Sequence, residues 1–426
     1  MKKIKLGDVC TINAQSHSLS DDWDFVNYLD TSNITENHIE NIQNIDTAQE
    51  KLPSRARRRV KFNSILYSTV RPNQRHYGII KSQPKNFLVS TGFVVIDVNP
   101  AEVDANFLYY QLTKDKIVQY LQSIAEQSTT AYPSIKPSDL SNLEFWMPSL
   151  DKQKQIGNFL YALDDKIALN KKINATLEAM AKTLYDYWFV QLDFPDEHGK
   201  PYKSSGGKMV YSYELGRDIP AGWAIDTLEG KITITRGISY STETLSANAK
   251  GIPMINLASV DRKRNYIPNG LKFFIGDVPN EKKLQAMDML IACTDLTRQA
   301  EIIGSPILVM NDREYTFSMD LAKLIVTDEK LNELYLYMTL RTNFYHQYIV
   351  GFASGTTVLH LNTSGIEWYK ILIPPTTLQE KFAVVMKNIY LQTCKNICEN
   401  QRLAELRDWL LPMLMNGQVK FQGDLD

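Results

Sequence analysis

The sequence predicts an α+β fold: two similar α/β domains joined and separated by two long antiparallel coiled-coil helices, related by a pseudo-two-fold internal repeat. Three observations carry this. The chain matches itself at an offset of 226 residues. Short β-rich runs broken by Gly, Pro and Asn fill the front of each copy. A long stretch with apolar residues every three or four positions closes each copy.

The self-match pairs Ser128 with Ser354, Thr130 with Thr356, Ser138 with Ser364, Pro148 with Pro374 and Gln153 with Gln379. It continues through Asn170 with Asn396, Asn174 with Asn400, Leu177 with Leu403 and Leu184 with Leu410. Upstream it survives with small gaps, Ser64-Ile65-Leu66 facing Asp288-Met289-Leu290. Divergence is greatest in the middle of each copy. Two copies of this length are two large units, because a solenoid needs more and shorter repeats.

The order along the chain follows. Residues 1–150 form a first α/β domain, with strands expected at Ser64–Val70 and Phe93–Val98. Residues 151–190 form a helix with a seam of Ile156, Leu160, Leu163, Ile167, Leu177, Leu184 and Trp188. Residues 191–222 are a linker and 223–376 a second α/β domain, opening with a strand near Lys231–Thr235. Residues 377–426 hold a second helix, expected from about Leu378 to Leu411 and ending before Pro412, and a tail. Some 38 residues of helix reach roughly 57 Å at ~1.5 Å per residue. That is too long for one small domain to cover, so the two helices are expected to pack on each other about a pseudo-two-fold axis, with the domains at opposite ends. Asn170, Asn174, Asn396 and Asn400 interrupt the seams. Buried Asn in such places sets register at a cost in stability; the alternative is that they face water.

Composition sets limits. The 426 residues are 44% hydrophobic and 22% charged, typical of a globular protein. No apolar run is long enough to span a membrane, and the start of the chain does not read as a signal peptide. Cys10, Cys293, Cys394 and Cys398 follow no disulfide pattern, which suits a reducing cytoplasm. Net charge is −1, yet charge is segregated. Lys51 to Lys85 holds ten Lys or Arg and no acid, whereas residues 1–50 hold three Lys against nine acids. One face of the first domain is therefore expected to be strongly positive.

Chemical motifs are missing. There is no Asn-Pro-Pro-Tyr-type motif for amino-methylation of adenine. Gly206-Gly207-Lys208-Met209 lacks the first Gly and the Ser/Thr of a P-loop and reads as a turn. Asp277 with Glu281-Lys282-Lys283 is spaced too closely for a nuclease set. Cys394 and Cys398 have no partners to complete a zinc site, and the six His form no ligand cluster. No catalytic residue, metal site or cofactor of the chain's own is expected.

The segment between the copies contains Gly199-Lys200-Pro201-Tyr202-Lys203-Ser204-Ser205-Gly206-Gly207-Lys208-Met209, followed by Ile219-Pro220-Ala221-Gly222-Trp223. A Ser/Thr loop ahead of a Pro-to-Gln-to-apolar pattern occurs twice, Ser128 to Ile156 and Ser354 to Phe382. The end reads Leu410-Leu411-Pro412-Met413-Leu414-Met415-Asn416-Gly417-Gln418-Val419. In these features, over essentially its whole length, the chain resembles the specificity subunits of type I restriction–modification systems. It departs in the first Ser/Thr loop, which lacks the glycine held at Gly355.

The resemblance implies that 1–150 and 223–376 are target-recognition domains, each reading one half of a bipartite, asymmetric DNA site. It implies two methyltransferase subunits docked along the helices and ATP-dependent restriction subunits joining them. S-adenosylmethionine, ATP and Mg2+ belong to those partners. In the first domain the residues expected at DNA are Arg55, Arg57, Arg58, Arg59, Lys61, Arg71, Gln74, Arg75 and His76, with Thr129, Thr130 and Lys136 of the Ser/Thr loop. In the second they are Arg262, Arg264, Thr297, Arg298 and Gln299, with Gly355, Thr356, Thr357 and His360. Arg reads guanine and Gln or Asn reads adenine through paired hydrogen bonds, while hydroxyls and backbone N–H groups hold phosphates. The Ser/Thr loops have another reading, as caps ahead of the helices. Two other functions compete: a protein-only scaffold, and a fused methyltransferase or nuclease.

Overall fold

The computed structural model describes residues 2–18, 21, 23–128, 132–246, 250–268, 270–310 and 313–419. The chain divides into two compact units, 1–166 with 403–426, and 167–402. Both long helices are cut by that division.

In the first unit a four-stranded sheet is ordered Cys10–Ile12, Phe93–Val98, Ile65–Ser68, Tyr77–Ile79. Its central strand Phe93–Val98 is buried over five of six residues, hence the continuous apolar run rather than an alternating one. A second sheet is ordered Gln43–Asp46, Phe25–Leu29, Phe87–Ser90, Ala56–Arg58. Phe87–Ser90 runs parallel to Phe25–Leu29, although every other pairing in these two sheets is antiparallel. Helices Ala105–Leu112 and Asp115–Glu126 follow, then Pro137–Ser141. Asp104 starts the first of these helices by accepting the Phe107 N–H at 2.9 Å.

The second unit repeats this plan. Its four-stranded sheet is ordered Ile232–Arg236, Leu321–Val326, Met289–Ala292, Pro306–Leu308, and its smaller sheet Lys272–Phe274, Ile252–Ile255, Thr316–Phe317. The one parallel pair recurs, Ile252–Ile255 with Thr316–Phe317. The pairs Lys2–Lys5 with Glu144–Met147 and Ala224–Thr227 with Lys370–Ile373 close the two copies alike. Helices Glu333–Leu340, Asn343–Val350 and Ser364–Glu367 match the three of the first unit. The internal repeat is thus a repeat of topology.

The long helices are Leu150–Tyr185 and Thr376–Met415. The first passes at Asp186–Val190 into a π-turn that buries Trp188 and Phe189. There Phe189 packs edge-on against Phe382 and Tyr335, centroids 5.0 and 4.8 Å away. The second does not stop before Pro412 as its sequence suggests. It runs on to Met415, because Leu414 and Met415 are buried in the first unit's core and hold the last turn despite the N–H that proline lacks.

In the second unit the helices run antiparallel. Asn170 Nδ2 donates to Asn400 Oδ1 at 2.9 Å and to Glu399 Oε2 at 2.7 Å, and Asn396 Nδ2 donates to Asn174 Oδ1 at 2.7 Å. Asn170 and Asn396 are buried. In the first unit Asp164 accepts from Arg407 at 2.6 Å and from the Tyr110 hydroxyl at 2.5 Å, binding both helices to helix Ala105–Leu112.

The glycine-rich segment between the copies is a packed structural element. Phe194 stacks between Tyr202 and Trp223, centroids 4.6 and 5.1 Å away. Asp193 accepts the Ser204 N–H and hydroxyl at 2.7 and 2.6 Å. Gly207 lies so close to Tyr202 that a Cβ would sit 2.5 Å from the ring, which accounts for a glycine there without any phosphate.

Candidate nucleic-acid interface

The charge segregation has an internal explanation. Asp21 and Glu36 of the acidic stretch meet the basic one. Arg59 pairs with Asp21 and lies 5.0 Å from the Trp23 centroid. The Ser18 N–H and the Arg59 guanidinium hold the Asp21 carboxyl below its ordinary range. Arg75 reaches Asp115 at 2.6 Å and Glu36 at 3.3 Å. Its bond to Asp115 is the main reason its guanidinium holds its proton more tightly than usual. Lys61 lies 3.7 Å from Asp97, and Lys81 donates to Asn63 and Asn106 at 2.7 and 2.6 Å. Arg59, Lys61 and Arg75 of the expected positive face are thus paired with acids within the fold, while Lys51 and Lys85 stay exposed. Arg55, Arg57 and Arg71 remain exposed.

The basic run forms strand Ala56–Arg58, the edge of the second sheet, with the half-buried Arg58 bridged to Ser16. Arg71 to Arg75 form a tight turn with Arg71 and Arg75 at positive φ (48° and 57°) around the helical turn Pro72–Gln74, and Gln74 is exposed. His76 points inward, Nδ1 2.7 Å from the Ile34 carbonyl and 3.2 Å from the Thr35 hydroxyl. The carbonyl accepts only, so Nδ1 carries the proton.

The structure joins this turn to the Ser/Thr loop. Thr69 N–H donates to the Gly92 carbonyl and Ile135 N–H to the Thr69 carbonyl, both at 2.8 Å. Arg71 N–H donates to the Pro133 carbonyl at 2.9 Å, and its guanidinium lies 5.4 Å from the Tyr132 centroid. Thr91 N–H donates to the Arg55 carbonyl at 2.8 Å, which brings the start of the basic run to the same edge. Thr129 and Thr130 lie outside the described residues. Lys136 is exposed, and its backbone N–H donates to Asp139 at 2.7 Å, capping helix Pro137–Ser141.

The second unit builds the same junction. Cys293 N–H donates to the Asp320 carbonyl at 2.8 Å and Leu361 N–H to the Cys293 carbonyl at 2.9 Å. Thr294 pairs with His360 and Asp295 with Leu359. Position by position, Thr69 corresponds to Cys293, Arg71 to Asp295, Pro72 to Leu296, Thr91 to Met319 and Ser134 to His360. Arg298 is therefore not the counterpart of Arg71, although both follow equivalent strands. It lies further along a longer turn, closed by Ala292 N–H to the Ser305 carbonyl at 3.0 Å where the first unit closes Ser68 to His76.

Asp295 is fully buried and pins that turn, accepting the N–H groups of Thr297 and Ile302 at 2.7 and 2.8 Å and the Thr297 hydroxyl at 2.7 Å. Leu296, Arg298 and Gln299 are left exposed. Arg262 is exposed 3.5 Å from Glu301. Arg264 turns inward to Asn343 at 2.9 Å, its carbonyl accepts from Arg341 at 2.6 Å, and burial pulls its pKa down. Gly355, Thr356, Thr357 and His360 are exposed. Gly355 has φ +125°, and a Cβ there would meet the Val358 carbonyl of its own turn at 2.0 Å. Its glycine serves the turn.

Comparison with known proteins identifies what this duplicated scaffold is. The family model of the type I restriction modification DNA specificity domain matches residues 1–179 and 220–407. The chain belongs to that family. A type I restriction enzyme specificity subunit of Haemophilus influenzae is 27% identical, covering 98% of this chain and 99% of that one. A second, from Methanocaldococcus jannaschii, is 26% identical over 78% and 76%. The crystal structure of a type I restriction-modification S subunit from M. genitalium shares the fold, with TM-score 0.56 at 15% identity over 97% of this chain and 95% of that one. The resemblance read from Gly199 to Trp223 and the fold class are therefore established, and the chain is a DNA specificity subunit of the type I restriction–modification kind. No helix among the described residues is long and apolar enough to cross a membrane, and no group of three or more His, Cys, Asp or Glu among them is placed to hold a metal.

Sequence reasoning passed over three exposed positions of the junctions, Thr91, Leu296 and Met319. Leu296 carried a usable signal, a lone large apolar residue between polar ones just after a strand. Thr91 and Met319 carried none, because only the sheet pairing brings them to the strand end.

Proposed function

We propose that the junction of hairpin turn and Ser/Thr loop is the DNA-reading face of each unit. Each face reads one half of a bipartite, asymmetric site in cytoplasmic DNA. The helix pair sets the spacing and docks two methyltransferase subunits, which supply the S-adenosylmethionine chemistry. Restriction subunits supply the ATP- and Mg2+-dependent steps, and this chain contributes recognition without catalysis. The observation that carries the reading is one backbone hydrogen-bond scaffold occurring twice with different exposed side chains. A shared scaffold suits docking on a regular duplex, and unlike side chains suit unlike base sequences. Arg55, Arg57, Arg71 and Gln74 with Lys136 act in the first unit. Arg298 and Gln299, with Gly355, Thr356, Thr357 and His360, act in the second. Arg59, Arg75, His76 and Arg264 support these faces from inside.

The test is to map methylated bases in DNA modified by the assembled complex carrying Arg71→Ala. Relaxed choice in one half-site with the other unchanged is expected, along with affinity that falls steeply with salt. Equal change in both halves refutes the assignment, and affinity indifferent to competing specific DNA supports a protein-only scaffold instead.

A further inference from the structure

The two junctions differ in chemistry at matched positions. In the first unit, the exposed groups on the shared scaffold are the Arg71 guanidinium over Tyr132, the Thr91 hydroxyl and Arg55. In the second, position 71 is taken by the buried, loop-pinning Asp295, and the next residue outward is Leu296, 68% exposed. Thr91 is replaced by Met319, 51% exposed, in the turn whose Asp320 carbonyl receives Cys293 N–H. Two large apolar side chains are thus exposed at this junction, Leu296 at the position of the buried Pro72 and Met319 at that of Thr91, while the buried Asp295 takes the place of the Arg71 cation.

Neither is a slack loop residue. Asp295 pins the turn that follows Leu296 by accepting the Thr297 and Ile302 N–H groups and the Thr297 hydroxyl. Met319 N–H donates to the Ile238 carbonyl at 2.9 Å. Arg236 locks the same region by donating to the Met319 and Leu361 carbonyls at 3.3 and 3.1 Å. Gly237 approaches so closely that a Cβ would sit 2.2 Å from the Ser318 carbonyl. The scaffold spends hydrogen bonds on holding two apolar groups outward, beside the exposed Arg298, Gln299 and His360.

The only apolar group on a base edge in the major groove is the thymine C5 methyl, while guanine offers paired acceptors that suit a guanidinium. We infer that the second unit reads thymine methyl groups with Leu296 and Met319, whereas the first reads guanine with Arg71. The inference rests on the DNA-reading assignment of the junctions and adds which base chemistry each one selects.

The experiment uses the full chain assembled with its methyltransferase subunits and a duplex bearing the site found by methylation mapping. Each thymine is replaced in turn by uracil, which removes only the methyl, and each guanine by 7-deazaguanine, which removes only the N7 acceptor. In one half-site uracil is expected to weaken binding about 4-fold per contacted methyl, equal to ~0.8 kcal/mol for a buried methyl-sized group. Leu296→Ala and Met319→Ala are expected to erase that thymine-to-uracil ratio. In the other half-site 7-deazaguanine weakens binding of the unaltered complex and makes no difference to Arg71→Ala. The DNA substitutions leave the protein untouched, so a folding defect cannot imitate the result.

Specific binding indifferent to uracil in both halves, or a ratio that survives in both apolar variants, overturns the inference and leaves the reading faces standing. So does a second-unit half-site without thymine, or apolar variants that bind DNA normally but lose the methyltransferase subunits. Absence of any site-specific binding overturns the DNA-reading assignment itself.

Discussion

Replacing Asn170 by Ala tests whether the Asn pairs lock the two long helices in register. Asn170 is 1% exposed, and both N–H groups of its amide are engaged. The bond to the Glu399 carboxylate is charge-assisted and contributes about 1.5–3 kcal/mol, and the bond to Asn400 contributes about 0.5–1.5 kcal/mol. Alanine removes both and leaves their acceptors in a part-buried seam. The expected loss is about 2–4 kcal/mol, a fall in Tm of roughly 5–15 °C for a unit of this size. Urea unfolding of Asn170→Ala, Asn400→Ala and the double variant isolates the direct bond. A coupling of about 0.5–1.5 kcal/mol is expected between the two changes. Additivity within about 0.3 kcal/mol would falsify the pairing. Replacing Asn170 and Asn400 together by Leu separates register from stability: apolar replacement of both partners in such a seam keeps or raises Tm while loosening specificity. Cysteine cross-linking between the helices should then capture more than one register. A single unchanged register in that variant refutes a registering role.

Three further outcomes follow from the side-chain environments. Arg75→Ala is expected to lower stability by about 1 kcal/mol, because its pairs with Asp115 and Glu36 are partly solvated, whereas Arg71→Ala leaves the melting curve in place and weakens only DNA binding; equal melting shifts would show that the two arginines do the same job. His346 is pulled below its ordinary 6.5, first by burial and then by Arg264; the fold therefore disfavours its protonation, and stability is full above that value and falls as pH drops toward the depressed one. His346→Gln should flatten that acid limb in urea titrations between pH 7.5 and 5, and an unchanged slope refutes the assignment. Burial pushes the thiols of Cys10 and Cys293 up to about 12, so the folded protein at pH 8 should alkylate there far more slowly than the denatured chain; mass spectrometry of both states after iodoacetamide decides it, and equal rates refute the burial argument.

Much of the architecture was legible because it is written in periodicity and repetition. The match of Ser128–Leu184 to Ser354–Leu410 announces two copies of one topology. Strand Phe93–Val98 is evident because a central strand buried on both faces must be apolar throughout. The long helices are evident because 3.6-residue periodicity over ten turns has no other compact explanation. The end of the second helix was misread at Pro412, since burial of Leu414 and Met415 overrides a local breaker that lacks only one N–H. Of the site, the Arg71 turn and both Ser/Thr loops were visible as polar, turn-forming runs. Their union was not, because Ile135 meets Thr69 across a long stretch of chain.

Sequence alone determined the duplication, the two helices, the family and the candidate turns, because each is carried by local pattern or by similarity along the chain. Tertiary structure decided which charges remain available. Arg59 and Arg75 are indistinguishable from Arg55 and Arg71 as letters, and only folding brings Asp21, Glu36 and Asp115 against the first two. It also decided that Arg71 and Asp295 occupy one position in two copies. Equivalence at a junction is set by the hydrogen bonds between strands, and the unequal lengths of the two turns hide it from any comparison made along the chain.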